Sequence, residues 1–107
     1  MFIASVRFAL KPGTTLQDVT KLYEGFSLKY RDMPGLLTKY YVFGDGKGGA
    51  VYVWESRAAA ERVYTAEWRK TLAERWGSDP VIEWLENPVT VDNVAGKIFN
   101  SSNEEIR

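Results

Sequence analysis

The sequence holds 107 residues, 45% hydrophobic and 26% charged, which is the composition of one globular domain rather than of a disordered chain. Its 14 basic and 14 acidic residues are spread along the chain, so no basic stripe addresses a nucleic-acid backbone and no lysine run precedes an apolar helix for membrane docking. Histidine and cysteine are both absent, which excludes thiol nucleophiles, Ser-His-Asp triads, disulfides, nearly all zinc sites and a His-ligated haem.

Residues Phe2 to Leu10 are rich in β-branched and aromatic types and predict a strand, punctuated by Lys11-Pro12-Gly13. Thr14 with Gln17 matches a capping box, and Leu16, Val19, Tyr23, Phe26, Tyr30 and Met33 form a helical apolar stripe. Met33-Pro34-Gly35 stops that helix, because a residue before proline avoids the α region. Leu36 to Phe43 predicts a second strand and Ala50 to Glu55 a third, with the turn in Gly44-Asp45-Gly46-Lys47-Gly48-Gly49. That glycine-rich loop lacks Gly-x-Gly-x-x-Gly spacing and opens a strand, so it does not read as a phosphate cradle.

Ser56 is placed to cap a long second helix reaching about Trp76, with Ala60, Val63, Tyr64, Leu72 and Trp76 on its buried side and a break offered at Thr65-Ala66. Gly77 is placed to end it. Val81 to Leu85 predicts a short fourth strand, and Val89-Thr90-Val91 a further extended piece. These elements define a single domain over 1–93, followed by a polar C-terminal tail over 94–107, expected to be loose or draped over a partner subunit.

The order strand, helix, hairpin, helix, strand is the split-βαβ arrangement, a ferredoxin-like α+β βαββαβ fold. It places two helices on one face of a four-stranded antiparallel sheet. The other face needs a cover, and the expected cover is a second copy, giving a homodimeric α+β barrel.

Strand alternation separates two sets of side chains. With an even hairpin loop, Tyr41 falls opposite Tyr52 and Lys39 opposite Trp54. Val42, Val51 and Val53 then read as facing the helices, together with Phe2, Ala4, Val6, Phe8 and Leu10. The uncovered face would carry Ser5, Arg7, Lys39, Tyr41, Tyr52 and Trp54. Such a surface suits a small aromatic ligand, and equally a dry dimer interface; two cations favour the cavity, since burying them dry would be costly. Four Trp and six Tyr in so short a chain fit an aromatic-lined pocket, or a core rich in aromatics.

The pattern Met33-Pro34-Gly35-Leu36-Leu37-x-Lys39, then Gly48-Gly49-x-Val51-Tyr52-x-Trp54-Glu55-Ser56 before an alanine-rich helix, resembles the YdhR-type monooxygenases. Those are similar to the antibiotic-biosynthesis monooxygenase group of dimeric α/β-barrel proteins. Trp68-Arg69, Gly77-Ser78 and Pro88-Val89-x-Val91-Asp92-Asn93 also fit, so the resemblance spans residues 2–93. It implies a homodimer with a cavity between helices and sheet, or between the two sheets, and cofactor-free oxidation of small aromatic or polyketide-like substrates. Branches that depend on a pocket histidine, the haem-degrading one above all, are disfavoured.

On that basis Arg7, Lys39 and Tyr41 are the candidate catalytic residues. Ser5, Tyr52, Trp54, Tyr64 and Trp68 are the candidate substrate-binding ones. No metal, no cofactor, no nucleic acid and no membrane are expected, and the location expected by default is cytoplasmic. The alternative is a non-catalytic dimeric module that binds a small hydrophobic ligand.

Overall fold

A computed structural model describes residues 1–106. Its elements are β1 (Phe2–Ala9), α1 (Leu16–Tyr30), β2 (Leu36–Gly44), β3 (Lys47–Trp54), α2 (Arg57–Glu61), α3 (Ala66–Trp76), β4 (Val81–Glu86), β5 (Val89–Asp92), β6 (Lys97–Asn100) and β7 (Glu105–Ile106). The first four strands form an antiparallel sheet of order β2-β3-β1-β4, with the helices on one face. Phe2, Ala4, Val6 and Phe8 of β1 alternate into the core with Val19 and Tyr23 of α1 and Trp68 and Leu72 of α3.

Helix α1 starts one residue later than the sequence predicts. Thr14 is spent on the preceding turn, where its hydroxyl donates to the Lys11 carbonyl at 2.7 Å. Thr15 then forms the capping box, accepting from the Asp18 amide at 3.1 Å while its own amide donates to the Asp18 carboxylate at 3.0 Å. Leu16, expected in the apolar stripe, is exposed in that first turn.

The hairpin turn is far tighter than the six-residue loop expected. Only Asp45 and Gly46 lie outside the strands, and both have positive φ (52° and 71°), the twist that two-residue hairpins favour. Gly48 and Gly49 therefore belong to β3. They are glycines because nothing larger fits: a Cβ on Gly48 would meet the Tyr23 hydroxyl, and one on Gly49 (φ +147°) would meet the Val6 carbonyl. Tyr23 thereby lies directly on β3, accepting from the Gly49 amide at 3.2 Å and donating to the Val42 carbonyl at 3.3 Å.

The second helical region is broken into α2 and α3. Thr65 caps α3 by accepting from the Trp68 amide at 3.1 Å, and Gly77 ends it in a left-handed conformation (φ 80°). The tail, expected to be loose or draped over a partner subunit, forms strands with its own chain. Residues 97–100 pair with β5 and residues 105–106 with residues 97–100, an antiparallel meander of order β5-β6-β7 tied to the start of the chain by the Met1 amino group donating to the Ser101 carbonyl.

Across the sheet from the helices lie Ile3, Ser5 and Arg7, with Tyr40, Val51 and Val53 beside them and Val81 and Leu85 on β4. Tyr40, Val81 and Leu85 are exposed. A cleft of about 520 Å³ separates the meander from this face around Ile3, Tyr40 and Val53. The radius of gyration, 15.0 Å, exceeds the roughly 13 Å of a compact chain this long, so the meander extends the body more than it covers the sheet.

Candidate functional site

Ladder partners that stand directly opposite share a face of the sheet. Trp54 opposes Phe2 and Tyr52 opposes Ala4 on β1, while Lys39 opposes Tyr52 and Tyr41 opposes Ala50 on the hairpin. Lys39, Tyr41, Tyr52 and Trp54 consequently point toward the helices. This overturns their expected place on the uncovered face. The even hairpin loop holds, but its register differs from the expected one by two residues. The valines take the open side instead, because β-branched side chains suffice to pave a sheet whereas rings are needed to fill the deeper space beneath the helices.

Ser5 and Arg7 remain on the open face. The two candidate cations thus lie on opposite sides of the sheet, and Arg7 donates to the Val6 and Ala50 carbonyls at 3.1 and 3.5 Å. The other six candidates gather on the helix side. Tyr52 and Trp54 stack in parallel at 5.9 Å, and the Tyr64 ring stands edge-on to both. Tyr64 accepts from the Trp54 indole at 3.0 Å, and the Trp68 indole donates to the Tyr30 hydroxyl at 3.3 Å. Burial pushes the Tyr64 phenol well above its ordinary range. Trp54, Tyr64 and Trp68 do not reach the cavity below; they hold Tyr52 and Tyr30 in place from behind.

Between sheet and helices lies a cavity of about 40 Å³, lined by Tyr23, Phe26, Tyr30, Lys39, Tyr41 and Tyr52 and bordered by Arg75 and Trp76. It has room for two or three waters at most, by the space one water needs. Phe26, Tyr30, Leu72 and Arg75 are shared with an outer groove between α1 and α3, and Tyr30, Lys39 and Tyr41 with another groove at the C-terminal end of α1.

Lys39 is the chemical centre of this arrangement. Its Nζ stands 3.3 Å from the Tyr30 ring centroid, 4.1 Å from Tyr41 and 4.5 Å from Tyr52, and donates to the Tyr41 hydroxyl at 3.0 Å. Among the described residues no carboxylate pairs with it. Burial, reinforced by the Lys29 charge, lowers its pKa to about 7, while the ring faces pull toward the cation. At neutral pH the amine is therefore both a base and a cation. Burial pushes the Tyr41 phenol up to about 12, and burial beside Tyr30 pushes Tyr52 far higher, so both hydroxyls are neutral donors.

Tyr23, Phe26, Tyr30 and Arg75 are site residues that the sequence does not announce as such. The first three lie in the predicted apolar stripe of α1, where spacing signals burial but not a cavity. Arg75 is three residues beyond Leu72 and beside Trp76, on the same side of α3, and lays its guanidinium 4.2 Å over Phe26. Among the described residues no three Asp or Glu side chains gather as a metal site would need.

No protein-family model and no curated protein matches the chain. A solved structure described as an antibiotic biosynthesis monooxygenase superposes with a TM-score of 0.60 at 18% identity, over 81% of this chain and 98% of that one. The NE2512 protein of unknown function from Nitrosomonas europaea superposes with a TM-score of 0.65 at 17% identity, over 85% of this chain and 92% of that one. The chain shares its ferredoxin-like α+β fold with both structures. A cavity between helices and sheet is one of the two places the sequence resemblance implies, and it is where Lys39, Tyr41 and Tyr52 converge. No described helix is long and apolar enough to cross a membrane.

Proposed function

We propose that the protein is a cofactor-independent monooxygenase of the YdhR type, acting on a small electron-rich aromatic bound against Lys39. The observation that carries this reading is a half-buried amine, paired with no carboxylate among the described residues and held among three tyrosine rings at the wall of an apolar cavity. A phenol or hydroquinone entering there would give its proton to the neutral Lys39 amine. The resulting ammonium would hold the substrate anion, which is the electron-rich form that reacts with dioxygen. The substrate supplies the electrons: oxygen adds to a ring carbon, one of its atoms stays on carbon as a carbonyl, and the other leaves as water. Tyr41 donates to the oxygen that gains negative charge, and the aromatic walls exclude water.

The cavity is smaller than such a substrate. Tyr41 and Arg75, which stand between it and the outer grooves, would swing aside on entry. Arg75 takes the second cationic role that the sequence suggests for Arg7. Two copies would pair through the open sheet face, where Ile3, Tyr40, Val51 and Val53 lie side by side.

Oxygen uptake with a panel of hydroquinones and hydroxynaphthalenes tests the reading. Wild-type protein should consume oxygen with at least one of them and Lys39→Met should not. Binding without oxygen uptake across the panel would leave the ligand-binding module as the function.

A further inference from the structure

We propose that Lys39 is a covalent capture site for small aldehydes and ketones, forming an imine through its side-chain nitrogen. This inference is independent of the oxygenase reading, since it needs only the amine and its access. Three features of the geometry carry it. The amine is packed among the faces of Tyr30, Tyr41 and Tyr52, so little water competes for it. Among the described residues no carboxylate is paired with it, so none of them pins it as an ammonium; Asp32, which lines the adjoining groove, lies against Arg31 at 4.0 Å instead. Finally, Lys39 borders both the inner cavity and an outer groove of about 340 Å³, so a ligand can reach the nitrogen from outside while its apolar part lies against Tyr30 and Tyr41 in the groove.

The step balances without an oxidant. Nζ adds to the carbonyl carbon, and the carbonyl oxygen takes up protons and departs as water while the nitrogen loses both of its own. A neutral amine is needed for attack and an acid for the departure of water. The Tyr41 hydroxyl, 3.0 Å from Nζ, is placed to pass that proton. The low pKa of the amine, caused by burial and the Lys29 charge, supports the first requirement; the other titratable groups lining the cavity and groove are Tyr23, Tyr30, Tyr41, Tyr52, Arg31, Asp32 and Arg75.

Incubating the wild-type protein with limiting benzaldehyde and cyanoborohydride at pH 7 tests this, read by intact mass and peptide mapping. The expected result is one benzyl group per chain, mapped to Lys39 and formed at least tenfold faster than at Lys11, Lys21, Lys29, Lys47, Lys70, Lys97 or the N-terminus. The rate at Lys39 should rise through about pH 7, and Lys39→Arg should abolish that label. Labelling of Lys39 no faster than the other amines would overturn the proposal. The mapping uses the native chain, so it decides the matter even if a variant folds poorly.

Discussion

Lys39 is held where its charged form is at a disadvantage, and that has a thermodynamic signature. Its folded pKa, about 7, lies below the ordinary 10.5. Between those values the unfolded chain binds more protons than the folded one, so stability rises with pH across that window and the cost is fully present below it. Lys39→Met should therefore stabilise the protein, on the order of 2 kcal/mol at pH 6 after discounting for the exposed part of the side chain, and the gain should shrink toward pH 10. Urea denaturation at a series of pH values measures it; a variant less stable at pH 6 would show that the ring cage outweighs desolvation. The same group acting as a base predicts that kcat/KM for a phenolic substrate climbs as pH passes about 7. Tyr64→Phe is expected to lower stability by about 1–3 kcal/mol, because the buried Trp54 indole loses its acceptor.

The order of elements and the class of fold are legible from strand composition, caps and glycine stops. The side of the sheet that carries the site is not. On the hairpin both alternating sets are apolar, Val42, Val51 and Val53 against Tyr41, Tyr52 and Trp54, so alternation separates them without saying which meets a helix. The cross-strand ladder settles it, by placing Trp54 opposite Phe2 and Tyr52 opposite Ala4. The turn is missed for a related reason: Gly48 and Gly49 look like loop, whereas they are strand residues that let Tyr23 and Val6 come close. Gly49→Ala should accordingly cost on the order of 3 kcal/mol or more, read as a lowered urea midpoint. A loss near the cost of an ordinary surface change would mean the strand can move away. At the α2–α3 break, Thr65→Ala should cost about 1 kcal/mol through loss of the α3 cap.

For the whole molecule, helices cover one sheet face and the meander only borders the other. Light scattering should give twice the 12.2 kDa chain mass at micromolar concentration, and Val51→Lys, which puts a charge in that face, should give the monomer. With or without pairing, the helix side and the open side of the sheet remain distinct surfaces, and ligand binding can be assigned to one of them. A backbone-amide NMR titration with a dihydroxynaphthoate does this at constant protein concentration. The account predicts that resonances of Tyr30, Lys39, Tyr41, Tyr52 and Trp76 move together with one affinity, and that Lys39→Met weakens it ten- to a hundredfold, about 1.5–3 kcal/mol. Shifts confined to Ile3, Ser5, Arg7, Val51 and Val53, with the Lys39 set unmoved, would contradict it.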